Sequence, residues 1–276
     1  MSNPTAQQYF KDLSSGYAKS TGNSTYDIIA SFLPSILPSL PSGPLTIHDN
    51  ASGPGTASLA LLSLLPLSQH DSLTIHATDI SAPMITALKS HLTALANLQA
   101  TVHPAVLDSE TLSFPADIFD LSITNISMPN FGSSTAAQAE ILRTLKPVTG
   151  LAIASVWKRF TVAEMIHAAQ RAIRPDSELK HMPRADYLQK GCLKAEMEAA
   201  GFIQVREQAV KIVVKDEGVA QLRDFMLGPF TEGVRKEWSG EENSKWKREI
   251  EKLVAEEVDK EGGIGMEAWV VAARKP

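Results

Sequence analysis

Residues Leu45 to Thr56, LTIHDNASGPGT, constrain the fold of this chain more than any other stretch. Leu45 to His48 read as a buried strand that ends in an acid, Asp49. A loop of small residues, Asn50 to Gly55, follows. An apolar helical pattern begins at once, through Ala57, Leu59, Ala60, Leu61, Leu62, Leu64 and Leu65. Strand, glycine-bearing turn and helix form the opening of a nucleotide-binding α/β unit. Gly53 and Gly55 carry no Cβ, so backbone can approach a ligand closely there. The first N–H groups of the helix offer hydrogen bonds to an acceptor. Gly-Pro-Gly also occurs in plain turns, so the next strand carries weight. Leu73 to Thr78 (LTIHAT) is apolar, β-rich and ends in Asp79. An acid about two dozen residues after the glycines is placed to take both hydroxyls of a ribose.

Together these stretches resemble class I S-adenosylmethionine-dependent methyltransferases. D-N-A-S-G-P-G at 49–55 is similar to that family's first motif, D-x-G-x-G-x-G, and A-T-D-I-S at 77–81, with Pro83 and Met84, to its second. E-I-L-R-T-L-K-P-V-T-G-L-A-I-A-S-V-W at 140–157 resembles the helix, turn and strand that follow the fourth strand. The likeness runs from about Leu45 to Phe202 and includes the final strands. H-D-N-A-S-G-P-G is also similar to small-molecule methyltransferases of fungal secondary metabolism. One position departs: Ala51 stands where the family has its first glycine, and a methyl group there calls for negative φ. The resemblance implies an α/β, Rossmann-like fold: a seven-stranded, mostly parallel sheet with the last strand antiparallel and helices on both faces. It also implies a helical N-terminal segment and helical insertions forming a lid. S-adenosyl-L-methionine is the implied cofactor. Its expected contacts are Tyr17, Asp49, Asn50, Ala51, Gly53, Gly55, Asp79, Ile80, Met84, Leu107, Asp108 and Asn125. In the family the acid after the third strand, here Asp108, accepts from the adenine amino group. A turn or helix-capping role before Ser109–Glu110 is the other reading.

The 276 residues, 43% of them hydrophobic, suffice for one large α/β domain. We divide it into an N-terminal helical cap (1–44), a cofactor-binding core (45–160) and substrate-side insertions (161–190 and 216–260). A net charge of −5 without a dense basic run argues against nucleic acid as partner. The single cysteine, Cys192, reads as a small buried residue. There is neither a disulfide framework nor a Cys/His metal spacing. The N-terminus has no signal pattern and no run approaches the ~20 apolar residues of a membrane span. The expectation is a cytoplasmic protein, off the membrane, of open oligomeric state.

Along the chain, Thr5–Leu13 and Tyr26–Leu33 read as short helices, and Pro34, Pro38, Pro41 and Pro44 as a connector. Tyr9 and Tyr17 are either packing residues or, as in the family, aromatics near the methionine end. Ser81 is placed to cap the helix of Met84, Ile85 and Leu88, and Val102–Leu107 is the third strand. Phe119–Ile126 is the fourth strand, with Asp120 anchoring its start. Ligands bind beyond the carboxyl ends of strands in open α/β sheets. Asn125, Ser127, Met128 and Phe131 are therefore expected at the methyl-transfer site, though ordinary turn chemistry fits them too. Leu151–Trp157 is the fifth strand. Trp157 and Phe160 at its end either wall a substrate pocket or seal the core. Thr161–Ile173 and Gln189–Ala200 are helical, and Phe202–Val214 is the sixth strand. Asp216–Asp259 is a helical insertion whose Phe225, Met226 and Phe230 are either core or a substrate cap. His167 and His181 are either solvated or a general base. Met266–Ala273 closes the chain.

Methyl transfer from a sulfonium needs in-line approach at ~3 Å more than acid–base machinery. The absence of a visible dyad therefore fits transfer to a thiol, hydroxyl or amine of a small lipophilic acceptor. No catalytic residue and no metal ligand can be named. Two rivals remain: an NAD-dependent oxidoreductase, for which G-x-G-x-x-G and a catalytic Tyr/Lys set are missing, and a methyltransferase fold repurposed as a non-methylating partner or a cyclase.

Overall fold

The computed structural model describes residues 21–95, 100–181 and 184–276. The helix expected at Thr5–Leu13, Tyr9 and Tyr17 lie outside the described residues. Seven strands form one sheet in the order β3-β2-β1-β4-β5-β7-β6. They are β1 (Leu45–Asn50), β2 (Leu73–Asp79), β3 (Thr101–Val106), β4 (Leu121–Asn125), β5 (Leu151–Arg159), β6 (Ile203–Val214) and β7 (Ile264–Arg274). The first five run parallel, and β7 lies antiparallel between β5 and β6. The chain order reverses between β1 and β4, so the crevice of an open α/β sheet opens there.

The helices of eight or more residues among the described residues are α1 (Ser24–Phe32), α2 (Thr56–Leu64), α3 (Ala82–Ala94), α4 (Ser134–Thr144), α5 (Thr161–Ile173), α6 (Cys192–Ala199), α7 (Asp216–Leu227) and α8 (Gly240–Glu261). Side chains alternate faces along a strand, and the two faces carry two cores. Ile47, Ile75, Ile123 and Ile153 point into one, with Ile28, Leu61, Leu88, Ile166, Met226 and Trp246 from the helices. Ala152, Ala154 and Val271 point into the other, with Ile141, Tyr187, Leu193 and Met197. The connector prolines do not abolish structure: Leu33–Ser35 and Leu37–Ser39 each form a 3-10 turn with proline in its first two positions.

Local chemistry fixes where the elements begin. Ser133 caps α4 by accepting from the Ala136 N–H at 3.1 Å. Ser239 and Glu242 close a capping box on α8, and Gly262, at φ 73°, ends it. Ser81 occupies the position before α3, but its hydroxyl makes no capping bond. Instead its backbone N–H is taken by Asp79 at 2.8 Å. Asp120 anchors the start of β4, as expected: it accepts from Thr46 N at 2.9 Å and pairs with Lys146 at 2.8 Å. No helix among the described residues is long and apolar enough to cross a membrane. Cys192 is partly exposed rather than buried, with its Sγ 3.6 Å from an Asp186 carboxylate oxygen.

Candidate functional site

A cleft of about 380 Å³ opens at the carboxyl ends of β1, β2 and β4. Its wall includes Asp49, Ala51, Gly53, Asp79, Ile80, Met84, Asp108, Asn125, Ser127 and Phe131, ten of the residues singled out from sequence. The volume lies within the roughly 300–1,000 Å³ of ligand pockets.

Asp49 ends β1 beneath the start of α2. Its Oδ2 accepts from Ser58 N at 2.9 Å and from Ser58 Oγ at 2.6 Å. No side chain caps α2 at Gly55, so this acid supplies the capping bond from below. Burial pushes its carboxyl up to about 6; the two Ser58 bonds pull it down and neighbouring Asp79 raises it further. Asp79 spans two loops. Its Oδ2 accepts from Gly53 N and its Oδ1 from Ser81 N, both at 2.8 Å. Burial raises this carboxyl too, against the pull of those two bonds. Asp108 performs the turn role: its Oδ1 accepts from Glu110 N at 2.9 Å, and it also lines the cleft.

The loop between β1 and α2 corrects one expectation. Ala51 has φ +51°, in the left-handed region, where its methyl is strained by roughly 1–2 kcal/mol. The family's glycine would carry no such cost. Facing it, Ile126 has φ +57°, an outlier for a β-branched residue. Ser127 Oγ bridges the two turns, donating to Asn125 O at 3.0 Å and reaching Ala51 O at 3.4 Å. Two adjacent strands thus both end in left-handed residues at the cleft, the placement in which backbone strain clusters at functional sites. Gly55 has no alternative: a Cβ there would lie 2.3 Å from Leu88 Cδ1, and its φ is +93°.

Asn125 makes two side-chain hydrogen bonds. Its Nδ2 donates to Thr25 O at 2.9 Å and its Oδ1 accepts from Ser155 Oγ at 2.7 Å. It therefore ties α1 and β5 to the end of β4.

Other expected residues stand elsewhere. Asn50 is buried on the opposite face, where it donates to Thr124 Oγ1 at 3.1 Å. Gly55 faces Leu88, and Leu107 spends its N–H on Asp79 O, at 3.1 Å; neither lines the cleft. Met128 is buried in the second core and does not line the cleft. Trp157 and Phe160 stack with centroids 5.1 Å apart and pack on the first core. They miss the cleft because β5 runs four residues beyond Ser155, its last partner on β4, and continues alongside β7. Phe225 and Phe230 stack on each other at 4.2 Å, also against the first core. Phe225 sits nine residues along α7, roughly 13 Å of rise from the helix start. No described residue of 161–190 or 216–260 lines the cleft. His167 donates to Lys180 O at 2.8 Å and His181 is exposed; neither reaches the cleft.

The wall also holds Thr25, Thr56, Ser109, Glu110 and Asn130, which sequence reasoning did not single out as site residues. Glu110 and Thr56 lay within reach of the recognised motifs; Thr25 and Asn130 carry no local signal. Four carboxylates, those of Asp49, Asp79, Asp108 and Glu110, line the cleft, and no Lys, Arg or His does among the described residues.

Residues 49–153 match a family model described as a methyltransferase domain. The chain carries a methyltransferase domain there, and its motifs at 49–55 and 77–81 are similar to those of class I S-adenosylmethionine-dependent methyltransferases. It is 25% identical over 263 residues to the methyltransferase ktnA of Aspergillus niger, covering 84% of this chain and 85% of that one. Among solved structures it resembles the [4+2]-cyclase SpnF, with TM-score 0.55 and 15% identity over 99% of this chain and 97% of that one. It also resembles Haemonchus contortus phosphoethanolamine N-methyltransferase 2, solved with S-adenosyl-L-methionine. There the TM-score is 0.52 and the identity 16%, over 97% of this chain and 60% of that one. The two structural likenesses show the fold. S-adenosyl-L-methionine is the cofactor of this methyltransferase, and the cleft suits it in charge: carboxylates face a ligand that carries a sulfonium and an ammonium.

Two tests follow from this geometry. Ala51→Gly is expected to raise the stability of the empty protein by about 1 kcal/mol, by relieving the left-handed strain. Gly55→Ala should lower it by more than about 2 kcal/mol, because steric overlap adds to strain. Urea denaturation measures both. The second test concerns Asp49, whose carboxyl is raised from 3.8 unfolded to about 6 folded. The folded chain holds more protons than the unfolded chain between those values, so this group's penalty grows as pH rises from 4 to 6 and stays constant above. Asp49→Asn should therefore stabilise the empty protein at pH 7.5, on the order of 1–3 kcal/mol, and have no such effect near pH 4. Equal effects at both pH values would contradict the raised carboxyl.

Proposed function

We propose that this methyltransferase transfers its methyl group to a thiol, hydroxyl or amine of a small lipophilic metabolite. The observation that carries the reading is the make-up of the cleft. Asp49, Asp79 and Asp108 lie along β1, β2 and β3, while Ile126, Ser127, Asn130 and Phe131 form the wall beyond β4. The acids are the groups that would hold the cofactor. Asp79 would accept the ribose hydroxyls and Asp108 the adenine amino group, with Asp49 and the Ala51–Gly53 backbone beneath the rest. When bound, the cofactor supplies an electrophilic methyl on a good leaving group. What the chain adds is placement: the α2 N-terminus and the two turn residues Ala51 and Ile126 fix the floor, and Phe131 offers an apolar face to an acceptor. No histidine reaches the cleft among the described residues. The nucleophile thus arrives already reactive, or gives up its proton to water or to a cleft carboxylate. Alignment of this kind can lower a barrier by several kcal/mol without a dedicated base.

SpnF shares the fold, so a chain of this architecture that has turned to cyclisation is the competing reading. Incubating the protein with S-adenosyl-L-methionine and panels of lipophilic thiols, phenols and amines, with mass detection, separates the two. The expected result is an added methyl group in at least one neutral panel member, with stoichiometric S-adenosylhomocysteine. Tight cofactor binding without methylation of any member would overturn the proposal in favour of the repurposed fold.

A further inference from the structure

Glu110 lies two residues past Asp108, and its side chain reaches across the cleft's β3–β4 side. Its Oε1 accepts the Ser133 backbone N–H at 2.9 Å. Its own N–H is fixed by Asp108 Oδ1 at 2.9 Å. Ser133 is the capping residue of α4, through Ala136 N at 3.1 Å. Gly132 leaves the space this bond needs: a Cβ there would sit 3.1 Å from Glu110 Oε1. Asp108, Glu110, Phe131 and Gly132 all line the cleft.

A turn after one strand and a loop after the next have no covalent reason to hold a fixed separation. Residues 107–120 contain no helix or strand. Leu107 N ties the start of the stretch to Asp79 O and Arg143 holds Leu112 O and Phe114 O, while Glu110 is the side chain that joins the Asp108 turn to the Ser133 loop. A side-chain oxygen that accepts a backbone N–H holds the two loops at a set distance. We propose that Glu110 is a positioning residue: it latches the Phe131–Gly132 wall to the Asp108 turn and so sets the width of the cleft around the cofactor. Opening the latch leaves the cofactor's own contacts in place but frees one wall. The effect falls on the rate at which bound ligand escapes more than on the rate at which it enters.

The test uses the full chain and S-adenosylhomocysteine, with affinity from calorimetry and rates from surface plasmon resonance. Glu110→Ala is expected to weaken binding about tenfold, through faster dissociation. Glu110→Gln keeps an oxygen acceptor at the same reach and should bind within about twofold of the wild type. Gly132→Ala crowds the Glu110 carboxylate, so it should weaken binding in the wild-type background and have no further effect in Glu110→Ala. Thermal melts of the empty variants should agree to within a few degrees. The latch is overturned if Glu110→Ala binds as the wild type does. It is equally overturned if Glu110→Gln is as weak as Glu110→Ala, which would assign the effect to charge, or if Gly132→Ala costs the same in both backgrounds. A wild-type protein that fails to bind S-adenosylhomocysteine would instead refute the cofactor site itself, and is distinguishable from all of these.

Discussion

The carboxylate of Asp79 organises the site. Each of its oxygens takes a backbone N–H, one from Gly53 in the loop after β1 and one from Ser81 at the start of α3. A side chain from the second strand thereby sets the shape of the first strand's loop. It does so while 8% exposed, where burial works against its charge. Such a group persists because backbone donors compensate the lost hydration, and each oxygen keeps acceptor capacity for a ligand. With Asp49 held under α2 by Ser58, the loop between the two acids has little freedom. Ala51 sits in the left-handed region as a consequence, and the surrounding bonds hold that strain in place.

The sheet extends this logic to the neighbouring strand. β4 ends beside β1, and its own terminal turn passes through the left-handed Ile126. Asn125 is the joint there: it holds α1 through Thr25 O and β5 through Ser155, so α1, β4 and β5 meet at one amide. Helices α5, α7 and α8 have a different task. Their apolar stripes are spent on the first core, where Met226, Trp246 and Ile166 are buried. The cleft is thus assembled from the carboxyl ends of β1, β2 and β4, the loops that follow them and β3, and the starts of α1, α2 and α3.

Much of this was legible from residues alone, for identifiable reasons. Strands ending in an acid at β1 and β2 announce themselves because alternation, apolar content and the terminal Asp coincide. The helix of Thr161–Ile173 is printed in its period, and the antiparallel last strand came from the family resemblance. The aromatic residues were not legible. Trp157, Phe160, Phe225 and Phe230 sit near a strand end or on a helix in sequence, but which way each ring turns depends on how far β5 outruns β4 and how deep α7 descends. Ala51 misled because φ at one position is set by the Asp79 bond to Gly53, a contact 26 residues away in sequence. Glu110 escaped notice for the same reason: its meaning lies in Ser133, 23 residues on.

The account stands on Asp79 acting as ligand acceptor as well as loop clasp. Calorimetric titration of S-adenosylhomocysteine into the wild-type protein and into Asp79→Ala, at pH 7.5, tests this most directly. The expected outcome is measurable binding by the wild type and a loss of at least about tenfold in the variant, from charge-assisted hydrogen bonds worth roughly 1.5–3 kcal/mol. Equal affinity in the two proteins would contradict it.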